Sequence, residues 1–289
     1  MGKSRGKGKS LDDRALQLLE DGRKLIYRAS NKIRDLGLIG ERRNGLIVFL
    51  SGIARTLPTP VSTLVKGPSG SGKNTIIEVP LKLFPRDSVV QRSDMTKKGV
   101  VHSKTSLAGK ILFLDEHTSG KDARFYLRQL QSAGALRFEY TVSKGSYRDT
   151  EVARREGVPT ILSTTTQNSV LPDDESRFLS IWADTSEEQT REILLARAKG
   201  TKPDDSDLEV WQMVTALIRY QDQDFQNSPV WLESVARRVP TDEVRVRRDW
   251  QRFLTFLQAI AMCRVGSRSS TSPVELTAED YCVGYRIFS

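Results

Sequence analysis

An α/β fold, with a parallel sheet carrying packed helices and an all-helical stretch behind it, is what this sequence predicts. Three observations carry that expectation. Short β-rich runs alternate with helical stretches through the middle of the chain. One run, Ile111-Leu-Phe-Leu114, is continuously apolar, as a strand buried on both faces must be. After Ser186 the strand signal fades and only helical patterns remain.

Taken in order, residues 1–10 form a flexible basic tail, and Leu11 to Leu36 reads as one helix, with Leu16, Leu19, Ile26 and Ile33 near helical spacing. Gly37 and Gly40 break it, and Leu46 to Leu57 forms a second apolar helix stopped by Pro58 and Pro60. These helices (11–60) lead into a core (61–189) with strands at Thr63–Lys66, Ser88–Gln91, Ile111–Leu114, Leu136–Val142, Thr160–Thr164 and Leu179–Trp182. The helical part (190–289) is announced by Glu187–Ala198 and continues with Leu208–Tyr220, Trp231–Arg238, Asp249–Met262 and Ala278–Phe288. Pro203-Asp-Asp and Ser267 to Pro273 are its loops. The last helix reaches the final residue, so the natural chain is expected to extend past Ser289.

The chain has 289 residues and a hydrophobic fraction of 38%, enough for one full domain and a smaller one. No run approaches the ~20 apolar residues that span a bilayer. Two cysteines, Cys263 and Cys282, and two histidines, His102 and His117, offer neither a disulfide framework nor a zinc site, and a cytoplasmic setting is expected. A net charge of +9 and a pI of about 9.6 point to a polyanionic partner, nucleic acid first, with a merely solvated basic surface as the equal alternative on composition alone.

The chemistry begins at Gly67-Pro68-Ser69-Gly70-Ser71-Gly72-Lys73-Asn74-Thr75, which lies between a strand and a helix. Glycines let backbone N–H groups curl around phosphates, and the helix N-terminus that follows favours their negative charge. Lys73 would reach the β- and γ-phosphates of ATP. The residue after this lysine ordinarily supplies a hydroxyl to Mg2+. Here it is Asn74, whose amide oxygen can also ligate a hard cation, directly or through water. The "GKGKS" of the tail mimics this loop, but Lys3 stands where its first glycine would be needed.

The apolar strand Ile111–Leu114 ends in Asp115-Glu116, acids at the carboxyl end of a parallel strand, where such sheets bind ligands. Asp115 would hold Mg2+ through water, and Glu116 would polarise the attacking water as general base. The strand from Thr160 runs into Thr166, expected to orient that water or sense the γ-phosphate.

With these three elements in order, the chain resembles the AAA+ ATPases, and within them the primase-associated, superfamily 3-like helicases of phages and mobile elements. The resemblance covers roughly residues 36–288 and rests on Gly37-Leu-Ile-Gly-Glu41, the loop above, Leu127 to Leu136, Gly157 to Thr166 and Asp184 to Arg191. Asn74 and the segment Met95 to His102 depart from the pattern. The resemblance implies a three-layer AAA+ P-loop NTPase sandwich with a C-terminal all-helical lid, working as a homo-oligomeric ring, usually a hexamer, with each site completed by a neighbour. Arg177, just before a strand, matches the arginine finger. The helical tail resembles the lid of minichromosome maintenance helicases, which makes Arg248 the arginine expected to touch phosphate in cis, with Arg245 and Arg247 as alternatives. Leu136 to Val142 with a return through Tyr147 forms a hairpin, and in the resembled helicases such a hairpin enters the ring's channel. Lys144 at its tip, with Arg137 nearer the base, suits phosphate contact, and Tyr147 could stack on a base. Lys97 and Lys98 are a second candidate and the basic tail a third. The implied activity is ATP-driven translocation on single-stranded or forked DNA during replication, with a primase as a partner. The alternatives are a nucleotide-gated DNA-binding or assembly module with weak hydrolysis, and a loader or remodeller acting on a protein.

Overall fold

Every position of β1, Ser62–Lys66, is buried, and the sheet is assembled around it. The computed structural model describes residues 10–92, 106–115, 131, 135–144, 147–167, 175–219, 225, 228–266 and 273–288. Within these, β2 (Val89–Arg92), β3 (Ile111–Leu114), β6 (Thr160–Thr165) and β7 (Phe178–Trp182) join β1 in a five-stranded sheet ordered β2-β3-β6-β1-β7. All its pairings are parallel. Strands β4 (Ala135–Lys144) and β5 (Tyr147–Glu156) form a separate antiparallel ribbon, inserted in the chain between β3 and β6.

Alternate residues of a strand point to opposite faces, and β1 shows what covers each. The Thr63 hydroxyl meets Ser51 Oγ at 2.8 Å, so that face lies under α3 (Arg42–Ile53), a helix buried from Gly45 to Ile53. Ser62 accepts a hydrogen bond from Gln131 at 2.9 Å and Lys66 pairs with Glu175, so the opposite face meets those two helical residues. Three layers result, as the sequence predicts.

The helix expected over Leu11–Leu36 is two helices. Ser10 and Asp13 cap α1 (Leu11–Glu20) reciprocally, each side chain accepting from the other's backbone N–H. The chain turns at Asp21 and α2 runs Gly22–Asp35. The turn brings Gly22 against a later helix, α8 (Val246–Val265), where an added Cβ would stand 2.1 Å from the Arg264 carbonyl oxygen. That close approach demands a glycine, and the Asp21-Gly22 dipeptide at the break is a local turn signal that the one-helix reading passed over.

Helix α4 (Lys73–Leu81) follows the glycine-rich loop, and α5 (Glu187–Ala198), α6 (Leu208–Leu217), α7 (Val230–Ala236), α8 and α9 (Ala278–Phe288) follow the sheet. The late helices pack on the early ones. Arg43 donates to the carbonyls of Ile287 and Phe288 at 2.8 and 2.6 Å. The buried Arg55 donates to Thr215 O at 2.9 Å. One continuous apolar cluster runs from Ala15 through α3 and α8 to Ile287. Cys263 lies inside it, where burial pushes its thiol up to about 12 and leaves it inert. No helix among the described residues is long and apolar enough to cross a membrane.

Candidate functional site

Because all five strands are parallel, their carboxyl ends share one edge, and the chemistry-bearing segments leave the sheet there. The loop 67–72 leaves β1, Asp115 follows β3, Thr166 follows β6 and Asp184 follows β7. The strands carrying the loop and Asp115 are not neighbours, for β6 lies between them.

The loop has the backbone its glycines permit. Gly70 and Gly72 have φ of 81° and 79°, in the left-handed region, and Gly72 is the N-cap of α4. A Cβ on either would meet nothing within 4 Å, so both face open space. The first N–H groups of α4 have no acceptor within the helix, and they open onto the same space. Ser71 Oγ is buried in the loop with no hydrogen-bond partner. Lys73 folds back and donates to the Pro68 carbonyl at 2.7 Å, drawing its ammonium over the loop. This donor set fits a triphosphate: backbone N–H groups and one ammonium around open space, with the Ser71 hydroxyl buried behind them.

The link to Asp115 runs through Thr164, which is 2% exposed. Its hydroxyl lies 3.1 Å from Asn74 Oδ1 at the start of α4 and hydrogen-bonds the main-chain oxygen of Asp115. The Asp115 carboxylate accepts from Gln91 Nε2 at 3.2 Å. The structure therefore brings Asn74 and Asp115 together around a residue that the sequence reading passed over in favour of Thr166. Thr166 is exposed just past the end of β6. The period-two alternation along Thr160–Thr165 could have indicated Thr164, since Thr164 pairs with Val65, on the face that carries α3.

Beside the loop opens a cavity of about 800 Å³, walled by residues 37–41, the loop itself and α5. Its far wall is fastened by Glu41, buried at 7% exposure. The Glu41 carboxylate accepts from Asp184 N at 2.7 Å and from Asn44 Nδ2 at 2.6 Å, and burial raises its pKa. Gln189 Nε2 donates to Ile39 O at 2.6 Å, tying α5 to the same turn. Glu41, Asn44 and Gln189 carry no functional role in the sequence reading.

Arg177 and Arg248 lie elsewhere. Phe178 is opposite Ser62 and Trp182 is opposite Lys66, so the entry to β7 is at the amino edge of the sheet. Four residues of strand, ~13 Å, separate the two edges. Arg177 is half-buried at that amino edge. Arg248 hydrogen-bonds Ser176 Oγ and Arg252 the Ser176 carbonyl. The expectation that Arg248 touches phosphate in cis is thereby corrected: its guanidinium is engaged at the edge opposite the loop. Arg245 is paired with Asp249 at 3.2 Å.

Glu116, Lys97 and Lys98 lie outside the described residues. Lys144 and Tyr147 are the last register pair of the ribbon, which extends ten residues on each strand. The hairpin predicted there is present, with a return strand longer than the sequence indicated.

A glycine-rich loop between β1 and a helix, an acid at the end of β3 and a five-stranded parallel sheet with helices on both faces define a P-loop NTPase fold, and with it nucleotide binding. The family profile described as the MTBMA_p00010 P-loop domain matches residues 10–215, and the chain belongs to that family. No curated protein matches the chain.

Proposed function

We propose that the chain is an ATP-driven nucleic-acid translocase or helicase of the superfamily 3-like type, serving replication of a phage or mobile element and working as a ring. The observation that carries the reading is the division of charge between the sheet's two edges. Lys73, Asn74 and Asp115 lie at the carboxyl edge, and Arg177 stands at the amino edge, ~13 Å of strand away. An arginine so placed serves a phosphate of a neighbouring subunit and not of its own.

On this reading Lys73 exchanges the Pro68 carbonyl for the β- and γ-phosphates, and the N–H groups of the loop and of α4 take the remaining phosphate oxygens. Asn74 and Asp115 would hold Mg2+, which would supply charge neutralisation to the phosphates. Glu116 draws the proton from the attacking water, and Thr166 orients that water. Arg177 of one subunit faces the site of the next, like the arginine finger of the resembled helicases. The base enters the cavity beside the loop. The β4–β5 ribbon projects Lys144 and Tyr147 toward a nucleic-acid strand, with Lys97 and Lys98 as a further contact.

ATP turnover, measured with and without single-stranded DNA, tests this directly. A translocase is stimulated severalfold, and strand displacement on forked DNA follows. Unstimulated, slow turnover with intact ATP binding overturns the motor and favours the second reading, a nucleotide-gated binding or assembly module. Asn74 supports that second reading, since it lacks the hydroxyl usual at its position.

A further inference from the structure

Asn74 and Asp115 reach the same hydroxyl, and a hydroxyl carries one proton. Thr164 Oγ1 is 3.1 Å from the Asn74 carboxamide atom assigned as Oδ1, and it also meets the main-chain oxygen of Asp115. Both partners as assigned only accept, but a main-chain oxygen cannot be exchanged for a donor whereas a carboxamide can be turned, so the Asp115 contact must hold the threonine proton. With its proton committed there, Thr164 turns a lone pair toward Asn74, and a buried lone pair calls for a donor. The two ends of a carboxamide are alike in shape, so hydrogen bonding alone decides which end faces which way. The arrangement that satisfies every atom sets the Asn74 NH2 against Thr164 and turns the amide oxygen away, toward the exposed side of α4's first turn. That side borders the phosphate loop, and Asn74 itself is exposed there.

We propose that Thr164 is a positioning residue for the metal side of the nucleotide site. By donating to Asp115 it becomes the acceptor for Asn74, and it thereby presents the asparagine oxygen, and not its NH2, to a hard divalent cation. This rests on the reading of Asn74 as the residue that stands in for the missing hydroxyl. A serine or threonine at position 74 would need no such partner, because a hydroxyl oxygen can accept in any rotamer. An asparagine has a wrong end, which presents N–H groups to the cation. Asn74 and Thr164 are thus a matched pair, and Thr166, beyond the strand end, has no part in it.

The test compares the affinity of the full chain for the fluorescent analogue mant-ATP in MgCl2 with its affinity in EDTA. The ratio reports the metal's contribution, and the EDTA value reports whether the loop is intact. Thr164→Val is expected to cut the ratio about tenfold, as loss of a partner of a metal ligand commonly does, with the EDTA affinity unchanged. Thr164→Ser is expected to keep the wild-type ratio. Asn74→Ala lowers it as Thr164→Val does, and the double variant is no worse than Asn74→Ala alone. An unchanged ratio in Thr164→Val beside a reduced one in Asn74→Ala overturns the positioning role and leaves Asn74 as ligand. A further loss when Thr164→Val is added to Asn74→Ala also overturns it, since the threonine would then act through Asp115. An unchanged ratio in Asn74→Ala removes the reading on which the proposal rests.

Discussion

At the carboxyl edge of the sheet the functional groups are held by short reaches. Thr164 joins Asn74 to Asp115 with a single hydroxyl, and Lys73 rests on the Pro68 carbonyl of its own loop. At the amino edge long cations reach across elements: Arg248 and Arg252 from α8 converge on Ser176. The first edge is shaped by backbone turns and can close around a ligand. The second is pinned by charge in a fixed attitude, which suits groups offered outward to another subunit. The predictions that follow set one edge against the other.

The largest effect is expected at the amino edge. Arg177→Ala should lower ATP turnover about 10³-fold, the scale of an arginine finger, while mant-ATP affinity holds. Mixing this variant with Lys73→Ala in equal amounts should recover part of the turnover, because some interfaces then pair an intact loop with an intact arginine. No recovery would mean that each site is completed by its own chain, and the contrast between the edges would lose its functional meaning.

Lys73→Ala alone should lower turnover about 10²-fold or more through lost charge stabilisation. It should also weaken nucleotide affinity, which Arg177→Ala should not. The chain's stability should barely move, since the Lys73 contact to Pro68 lies at the surface. Unchanged affinity would detach the carboxyl edge from phosphate.

Stability, in contrast, should respond at the Lys66–Glu175 pair. The Lys66 side chain is 3% exposed and that of Glu175 26%, with the lysine also over the Trp182 ring at 5.6 Å. Glu175→Gln leaves a buried ammonium without its carboxylate and should cost about 3 kcal/mol in urea denaturation, the low end for breaking a buried pair. Adding Lys66→Met should recover much of that loss. If Glu175→Gln proves neutral, the pair does not hold the approach to β7 against β1.

How much of this was legible in the chain differs between the edges. The carboxyl edge is written in contiguous residues. Gly67 to Lys73 and the run Ile111 to Asp115 each announce strand, turn and chemistry locally, and the strands fall within a residue or two of their expected positions. What joins them was legible only in part, because alternation narrows the four hydroxyls of Ser-Thr-Thr-Thr to one face and only the register against Val65 shows that this face carries α3. At the amino edge almost nothing could be read ahead. Arg248 and Ser176 are 72 residues apart and meet only because α8 packs back on the sheet. The same long-range packing presses on the helix break at Gly22, through a carbonyl 242 positions later, although the Asp21-Gly22 dipeptide marks that break locally.

The smallest effect concerns the wall of the cavity and is read through pH. Burial raises the Glu41 pKa above its ordinary value of 4.5, with Asp184 adding to the rise and the bonds from Asp184 N and Asn44 opposing it. Between the unfolded value and the raised folded one, the native chain holds a proton that the unfolded chain has released. Stability must therefore fall as pH rises through that window, and it recovers as pH drops back toward the unfolded value. One proton bounds the slope at about 1.4 kcal/mol per pH unit. Glu41→Gln should make the measured stability profile shallower in that window. Because a glutamine sets an NH2 against one of two donors, Asp184 N or Asn44, it should also lower the whole curve. A lowered curve with an unchanged slope would mean that the carboxylate stays charged wherever the protein is folded, its two donors outweighing burial.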